Sequence, residues 1–210
     1  MTFESLEQRI LLSADLPMAS LQTDQVVEAS VAAQTVIAPL PTIQFQQRTA
    51  SGTKSVNTLY LDVDARAIAL DATLKIDTDG TLSSLVLLDN ASGSVLGSHR
   101  IDTDALDLSI LGGDADDSLL IDLSSPIVFP AIHVGFDGGE GNDTLRGTGA
   151  DTEWSITGVN EGAVDSTSFI GVENLRGAAG NRDSFTIFAD GRLSGLLDGG
   201  VGGFDVLSLD

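Results

Sequence analysis

The sequence has no cysteine, which excludes disulfides, zinc–thiolate sites and thiol nucleophiles. Aromatic residues make up 5% of its 210 positions, so the 42% apolar content must build a core mostly from Leu, Ile and Val. Basic residues are scarce: 10 Lys and Arg stand against 31 Asp and Glu, a formal net charge of −21. Such a charge disfavours nucleic acid and anionic membranes as partners and favours divalent cations. No apolar run is long enough for a transmembrane helix. The N-terminus does not read as a secretory signal. Glu4 and Glu7 stand where a basic segment belongs, and Ile10-Leu11-Leu12 is too short an apolar stretch. Only two histidines are present, His99 on a polar turn and His133 on a strand, and no G-x-S-x-G nucleophile motif occurs.

What the chain does hold is aspartate, glycine and short alternating apolar runs. Of the acids, 24 are Asp and 7 are Glu, so the acidity belongs to turns and not to helices. Alternation marks strands at Thr58–Val63, Leu106–Ile110, Leu119–Leu123, Glu153–Thr157 and Phe185–Ile187. Turn signals punctuate them at Asp79-Gly80, Ser92-Gly93, Asp137-Gly138 and Asp190-Gly191. After residue 42 no amphipathic helix of useful length appears, which argues against βαβ architectures. Three zones follow: a short amphipathic N-terminal helix over 1–15, a flexible Ala/Val/Gln/Thr/Pro-rich linker without glycine over 16–41, and a β domain over 42–210.

Within the β domain one stretch is the most informative. Gly138-Gly139-Glu140-Gly141-Asn142-Asp143-Thr144-Leu145-Arg146 fits G-G-x-G-x-D-x-U-x, where U is a large apolar residue. Partial copies start at Gly112 (Ala115 replaces the third glycine), at Gly177 and at Gly199, the last two with one extra residue before the aspartate. Each ends in Asp-x-apolar and runs into a strand. The starts are 26, 39 and 22 residues apart, so the expected unit is a long, irregular coil with one Gly/Asp turn per coil. The expected fold is an all-β, right-handed parallel β-helix or β-roll solenoid. An antiparallel sandwich fits residues 42–105 nearly as well.

These turns resemble the haemolysin-type (RTX) calcium-binding repeat family over about residues 112–210. The resemblance implies Ca²⁺ between adjacent turns, with Gly138, Gly139, Gly141 and Asp143 as ligand positions, then Asp117, Asp183 and Asp205. The segment Leu6-Glu7-Gln8-Arg9-Ile10-Leu11-Leu12-Ser13-Ala14-Asp15 resembles the LEPR-XLL motif, with Gln8 in place of its proline. That motif implies the start of a large bacterial secreted or cell-surface protein. Gly171-Val172-Glu173-Asn174-Leu175 resembles strings found beside such turns, and its spacing calls for a bend or an Asn174 ladder position.

The expectation is a non-enzymatic, calcium-associated secreted or surface repeat protein of adhesin or matrix type. Its partners would be calcium and surface glycans or other cells, and the chain would be the N-terminal fragment of something larger. Two alternatives stay open. One is a polysaccharide-active β-helix enzyme using Asp116-Asp117 or Asp102 with Asp104. The other is a metal-free structural solenoid, because Asp-Gly turns form without any ion.

Overall fold

The computed structural model describes residues 46–48, 57–62, 69–79, 82–101, 106–124 and 132–210, all within the unit Pro39–Asp210. The N-terminal motif and the linker lie outside these residues. The described residues form sixteen strands in two sheets, and the fold class is all-β.

The first sheet opens with β1 (Gln46–Arg48), antiparallel to β2 (Asn57–Asp62). The second opens with an antiparallel meander of β3 (Asp71–Asp79), β4 (Leu82–Asp89) and β5 (Val95–Arg100). His99 and Arg100 therefore lie on a strand, where a polar turn was expected. From β6 (Leu106–Leu111) the chain passes back and forth. β7 (Ser118–Asp122) joins the second sheet, β8 (Ile132–Asp137) the first, β9 (Thr144–Arg146) the second and β10 (Glu153–Gly158) the first. A hairpin of β11 (Glu161–Val164) and β12 (Thr167–Ile170) stays in the first sheet. β13 (Asn174–Arg176) and β15 (Leu197–Asp198) then belong to the second sheet, β14 (Ser184–Ile187) and β16 (Val206–Leu209) to the first.

Pairing from β6 onward is parallel except around that hairpin. β6 pairs with β8, β8 with β12, β10 with β14 and β14 with β16. In the second sheet β3 pairs with β7, β7 with β9, β9 with β13 and β13 with β15. The reading of 42–105 as antiparallel hairpins thus holds for β3–β5, while β2 and β3 each carry a parallel partner, β6 and β7.

The period-2 alternation of each strand turns one row of side chains toward a shared core. Leu106, Leu108 and Ile110 point inward from β6, and Ile132, Val134 and Phe136 from β8. Parallel register stacks like on like, so Leu119, Leu145 and Leu175 form one fully buried column. Trp154 and Phe185 form another, their rings stacked with centroids 5.5 Å apart. The indole N–H of Trp154 is satisfied by Thr152 Oγ1 at 2.7 Å, which lets the ring be buried whole. Val172 and Leu175 are both fully buried: Val172 lies on the turn that follows Gly171 (φ +64°), outside the strand alternation, and Leu175 lies on β13.

Candidate metal centre at the stacked turns

The turns that carry the glycine motifs fall on two edges. Residues 112–117, 138–143 and 171–173 lead from the first sheet to the second; 147–152, 177–183 and 199–205 lead back. Each edge is a stack. Gly112 lies against the carbonyl of Gly138, and Gly138 against the carbonyl of Gly171, so closely that a Cβ at either would collide with it. Gly139 (φ +89°) and Gly141 (φ +124°) hold backbone that an L side chain would strain. The motif glycines are therefore set by the approach of neighbouring turns. The 26-residue spacing joins two turns of one edge and the 22-residue spacing two turns of the other. The 39-residue interval crosses between edges and contains the β11–β12 hairpin.

Strand register fixes which motif residues meet. On the first edge Leu70, Asp117, Asp143 and Glu173 occupy equivalent positions, each one residue before a paired strand residue. On the second edge the column is Thr152, Asp183, Asp205. The structure thus brings Asp117 to Asp143 and Asp183 to Asp205, and keeps the two pairs on different edges.

Within each column a carboxylate accepts the backbone N–H of the turn before it. Asp143 Oδ1 accepts from Asp117 N–H at 2.7 Å, and Asp117 Oδ1 from Leu70 N–H at 2.7 Å. Glu173 Oε2 accepts from Asp143 N–H at 2.8 Å, while its Oε1 takes Asn160 Nδ2 at 2.8 Å. On the other edge Asp205 Oδ1 accepts from Asp183 N–H at 3.0 Å. Asp183 Oδ1 accepts from Thr152 N–H at 3.1 Å, Thr152 Oγ1 at 2.5 Å and Asn181 Nδ2 at 2.7 Å. The second oxygens of Asp117 and Asp183 close their own turns, taking Gly113 N–H at 2.9 Å and Ala178 N–H at 3.2 Å. A carboxylate bonded to backbone N–H groups in this way is a charge-assisted staple between turns.

Asp143 is the exception. It is fully buried, and its Oδ2 has no hydrogen-bond partner among the described residues. That oxygen packs over Gly138, where an added Cβ would fall 2.5 Å from it. Burial pushes the Asp143 carboxyl up to about 7; the hydrogen bond from Asp117 opposes this, and the charges of Asp117, Glu173 and Asp116 add to it.

The fit to calcium divides accordingly. Among the described residues no group of three or more His, Asp or Glu side chains is placed to hold a metal ion. Calcium takes six to eight oxygens. Asp117 has one protein donor on each carboxylate oxygen and Asp183 three on Oδ1 and one on Oδ2, so neither presents an unpartnered oxygen to an ion. Asp143 Oδ2, over Gly138, fits one cation contact that turn carbonyls and water would have to complete.

No protein-family model, curated protein or solved structure matches this chain. The site is therefore read from its own geometry.

Glycine-pair alignment misses two members of the columns, Glu173 and Thr152. Both carry a readable signal: each lies two residues before a buried apolar residue (Leu175 and Trp154), the offset that Asp143 keeps from Leu145. Asn174 does form a ladder, donating to Asn142 Oδ1 and to the Asp143 carbonyl, both at 3.0 Å, and accepting from Leu196 N–H at 2.9 Å. Asp116 is exposed and Asp117 buried, so this candidate acid pair points in two directions. Asp102 and Asp104 lie outside the described residues.

Proposed function

We propose that this chain is a non-enzymatic segment of a secreted or cell-surface repeat protein. Its fold would be a right-handed parallel β-solenoid of the roll type, in which calcium reinforces turns that hydrogen bonds already close. Support for the solenoid comes from the alternation of strands between two sheets and the parallel register of equivalent positions. The LEPR-XLL-like and RTX-like segments supply the surface or secreted assignment. One observation carries the calcium reading: Asp143 Oδ2 is buried and unpartnered at the full nine-residue motif, in a carboxyl group on which the charges of Asp117, Glu173 and Asp116 act. A cation there relieves both the desolvation and the repulsion. A glycan partner would be offered a groove of about 480 Å³ on the first sheet, lined by Glu153, Ser155, Asp165, Thr186 and Phe188 among others.

The coupling differs from a domain that is unfolded without metal. Since Asp117, Asp183, Asp205 and Glu173 are already bonded to N–H groups, the coils stack without the ion, and calcium adds stability by mass action. At ten times a dissociation constant typical of extracellular calcium modules, that is about 1.4 kcal/mol, or roughly 3–5 °C in melting temperature. Circular dichroism in chelator and in 5 mM calcium tests it. A β spectrum in both, with the higher melting temperature in calcium, is expected. Equal melting temperatures would favour the metal-free solenoid, the reading that the hydrogen-bonded oxygens of Asp117 and Asp183 support.

A further inference from the structure

The outward-facing residues of three neighbouring strands make the groove of about 480 Å³ on the first sheet. β11, β10 and β14 lie side by side, and their register sets Ala163 beside Ser155 and Ser155 beside Thr186. Glu153 stands beside Ser184 in the same way. The floor is therefore built of small side chains. Glu153 and Asp165 stand at one end of it and Phe188, 38% exposed, at the other. From Ser184 to Phe188 the strand path runs roughly 13 Å, the length of a short oligosaccharide.

The polar groups of the groove differ from those of the stacked turns. Asp117, Asp183 and Glu173 give their oxygens to donors on neighbouring residues. In the groove, among the described residues, the Glu153 carboxylate, Asp165 Oδ2, Ser184 Oγ and Thr186 Oγ1 take part in no hydrogen bond. Asp165 is nonetheless held in place. Its N–H donates to the Glu153 carbonyl at 3.3 Å, and its backbone takes φ +48° at the β11–β12 bend, a conformation that few residues other than glycine adopt. Two carboxylates are thus preset at one end, with hydroxyls along the floor and an aromatic ring beyond them.

We propose that this groove binds a neutral glycan. The proposal rests on the glycan partner put forward above and adds its chemical class and its contacts. Carboxylates only accept hydrogen bonds, which suits the hydroxyl donors of a sugar. Ser184 and Thr186 hydroxyls both donate and accept, which suits its ring and linkage oxygens as well. Phe188 offers an apolar surface to the C–H face of a pyranose. No Lys or Arg lines the groove, and the chain carries a formal −21, so uronate and sulfate groups are repelled. A polycation would engage Glu153 and Asp165 but leave the floor hydroxyls and Phe188 without partners. Glu153, Asp165 and Ser184 lie at the second edge and Asp143 at the first, so glycan binding is independent of calcium.

Affinity electrophoresis of the full chain tests this, with β-glucan, galactomannan and dextran as neutral polysaccharides in separate gels and polygalacturonate as the anionic comparison. Retardation by a neutral polysaccharide is expected, equal in chelator and in calcium, with none by polygalacturonate. Thr186→Arg lays a long side chain across the floor and is expected to abolish retardation, and Phe188→Ala to weaken binding about tenfold. Ser92→Arg, on the exposed turn before β5, adds the same charge and is expected to bind as wild type. All three variants should keep the β spectrum. Retardation by none of the neutral polysaccharides would overturn both the groove assignment and the glycan partner, and spermine binding in calorimetry would then mark a cation site. Retardation that survives both groove variants, that needs calcium, or that is stronger with polygalacturonate would overturn the groove assignment and leave the glycan partner standing.

Discussion

Replacing Asp143 by Asn should stabilise the metal-free protein above neutral pH, although it removes a residue of the repeat motif. Oδ1 of the amide can still accept the Asp117 N–H bond, and the orphaned Oδ2 becomes an uncharged NH₂ group facing carboxylates. The sign follows from linkage. The Asp143 carboxyl lies at about 7 when folded against 3.8 as the ordinary value, so between these pH values the folded state holds a proton that the unfolded state lacks. Stability from this group is complete below the unfolded value and is lost as pH rises through 7. Each pK unit is about 1.4 kcal/mol, which sets a ceiling of about 4 kcal/mol over the whole window. Glu140, Gly141 and Asn142 are exposed on the same turn, and water there screens the neighbouring acids. A discounted value of about 1–2 kcal/mol between pH 5 and pH 8 is the expectation. In chelator the melting temperature of the variant should therefore rise relative to wild type by roughly 3–6 °C between pH 5 and pH 8. In 5 mM calcium the wild type should recover that gap and the variant should not respond. A variant less stable than wild type at pH 8 in chelator, or a difference that ignores pH, would refute the argument that Asp143 carries an uncompensated charge.

Two further substitutions test the stacking itself. Gly138→Ala places a methyl group against the Gly171 carbonyl and Asp143 Oδ2, whereas Gly149→Ala meets nothing within 4 Å. Urea denaturation should show a loss of about 2–3 kcal/mol for the first and under about 0.5 kcal/mol for the second. Glu173→Ala leaves the Asp143 N–H and Asn160 Nδ2 without their acceptor and should cost about 2 kcal/mol. Glu173→Gln keeps an acceptor but removes a negative neighbour, so the pH midpoint assigned to Asp143 should move down in a pH series of melts.

Much of the β domain was legible because its signal is local. Leu106–Ile110 and Phe185–Ile187 alternate strictly and lie in strands with their apolar rows inward, and Leu119 and Ile121 face inward from β7. Trp154 and Ile156 share a buried face for the same reason. Which edge a turn occupies was not legible. Gly138 and Gly177 open similar motifs, but the β11–β12 hairpin between them has no glycine-pair signature, and Asn160 and Asp165 at its bends take positive φ without being glycine. Spacing alone therefore merged two columns into one series.

The roles of the aspartates were hidden by a related ambiguity. An Asp that follows a glycine turn and precedes an apolar strand residue is equally suited to ligate a cation and to accept an N–H from the neighbouring turn. Only the register decides, since it places a donor 2.7 Å from Asp143 Oδ1 and none at its Oδ2. Glu173 and Thr152 make the point from the other side. A purely metal-driven motif would conserve carboxylate at every level of a column, yet Leu70, Asp117, Asp143 and Glu173 stand in one column and Thr152, Asp183 and Asp205 in the other. Thr152 ends its column by donating N–H and hydroxyl to Asp183, and Leu70 ends the first by donating only N–H to Asp117. Residues that terminate a ladder need donors and not charge. That requirement follows from hydrogen bonding between turns, with any ion added where one oxygen is left over.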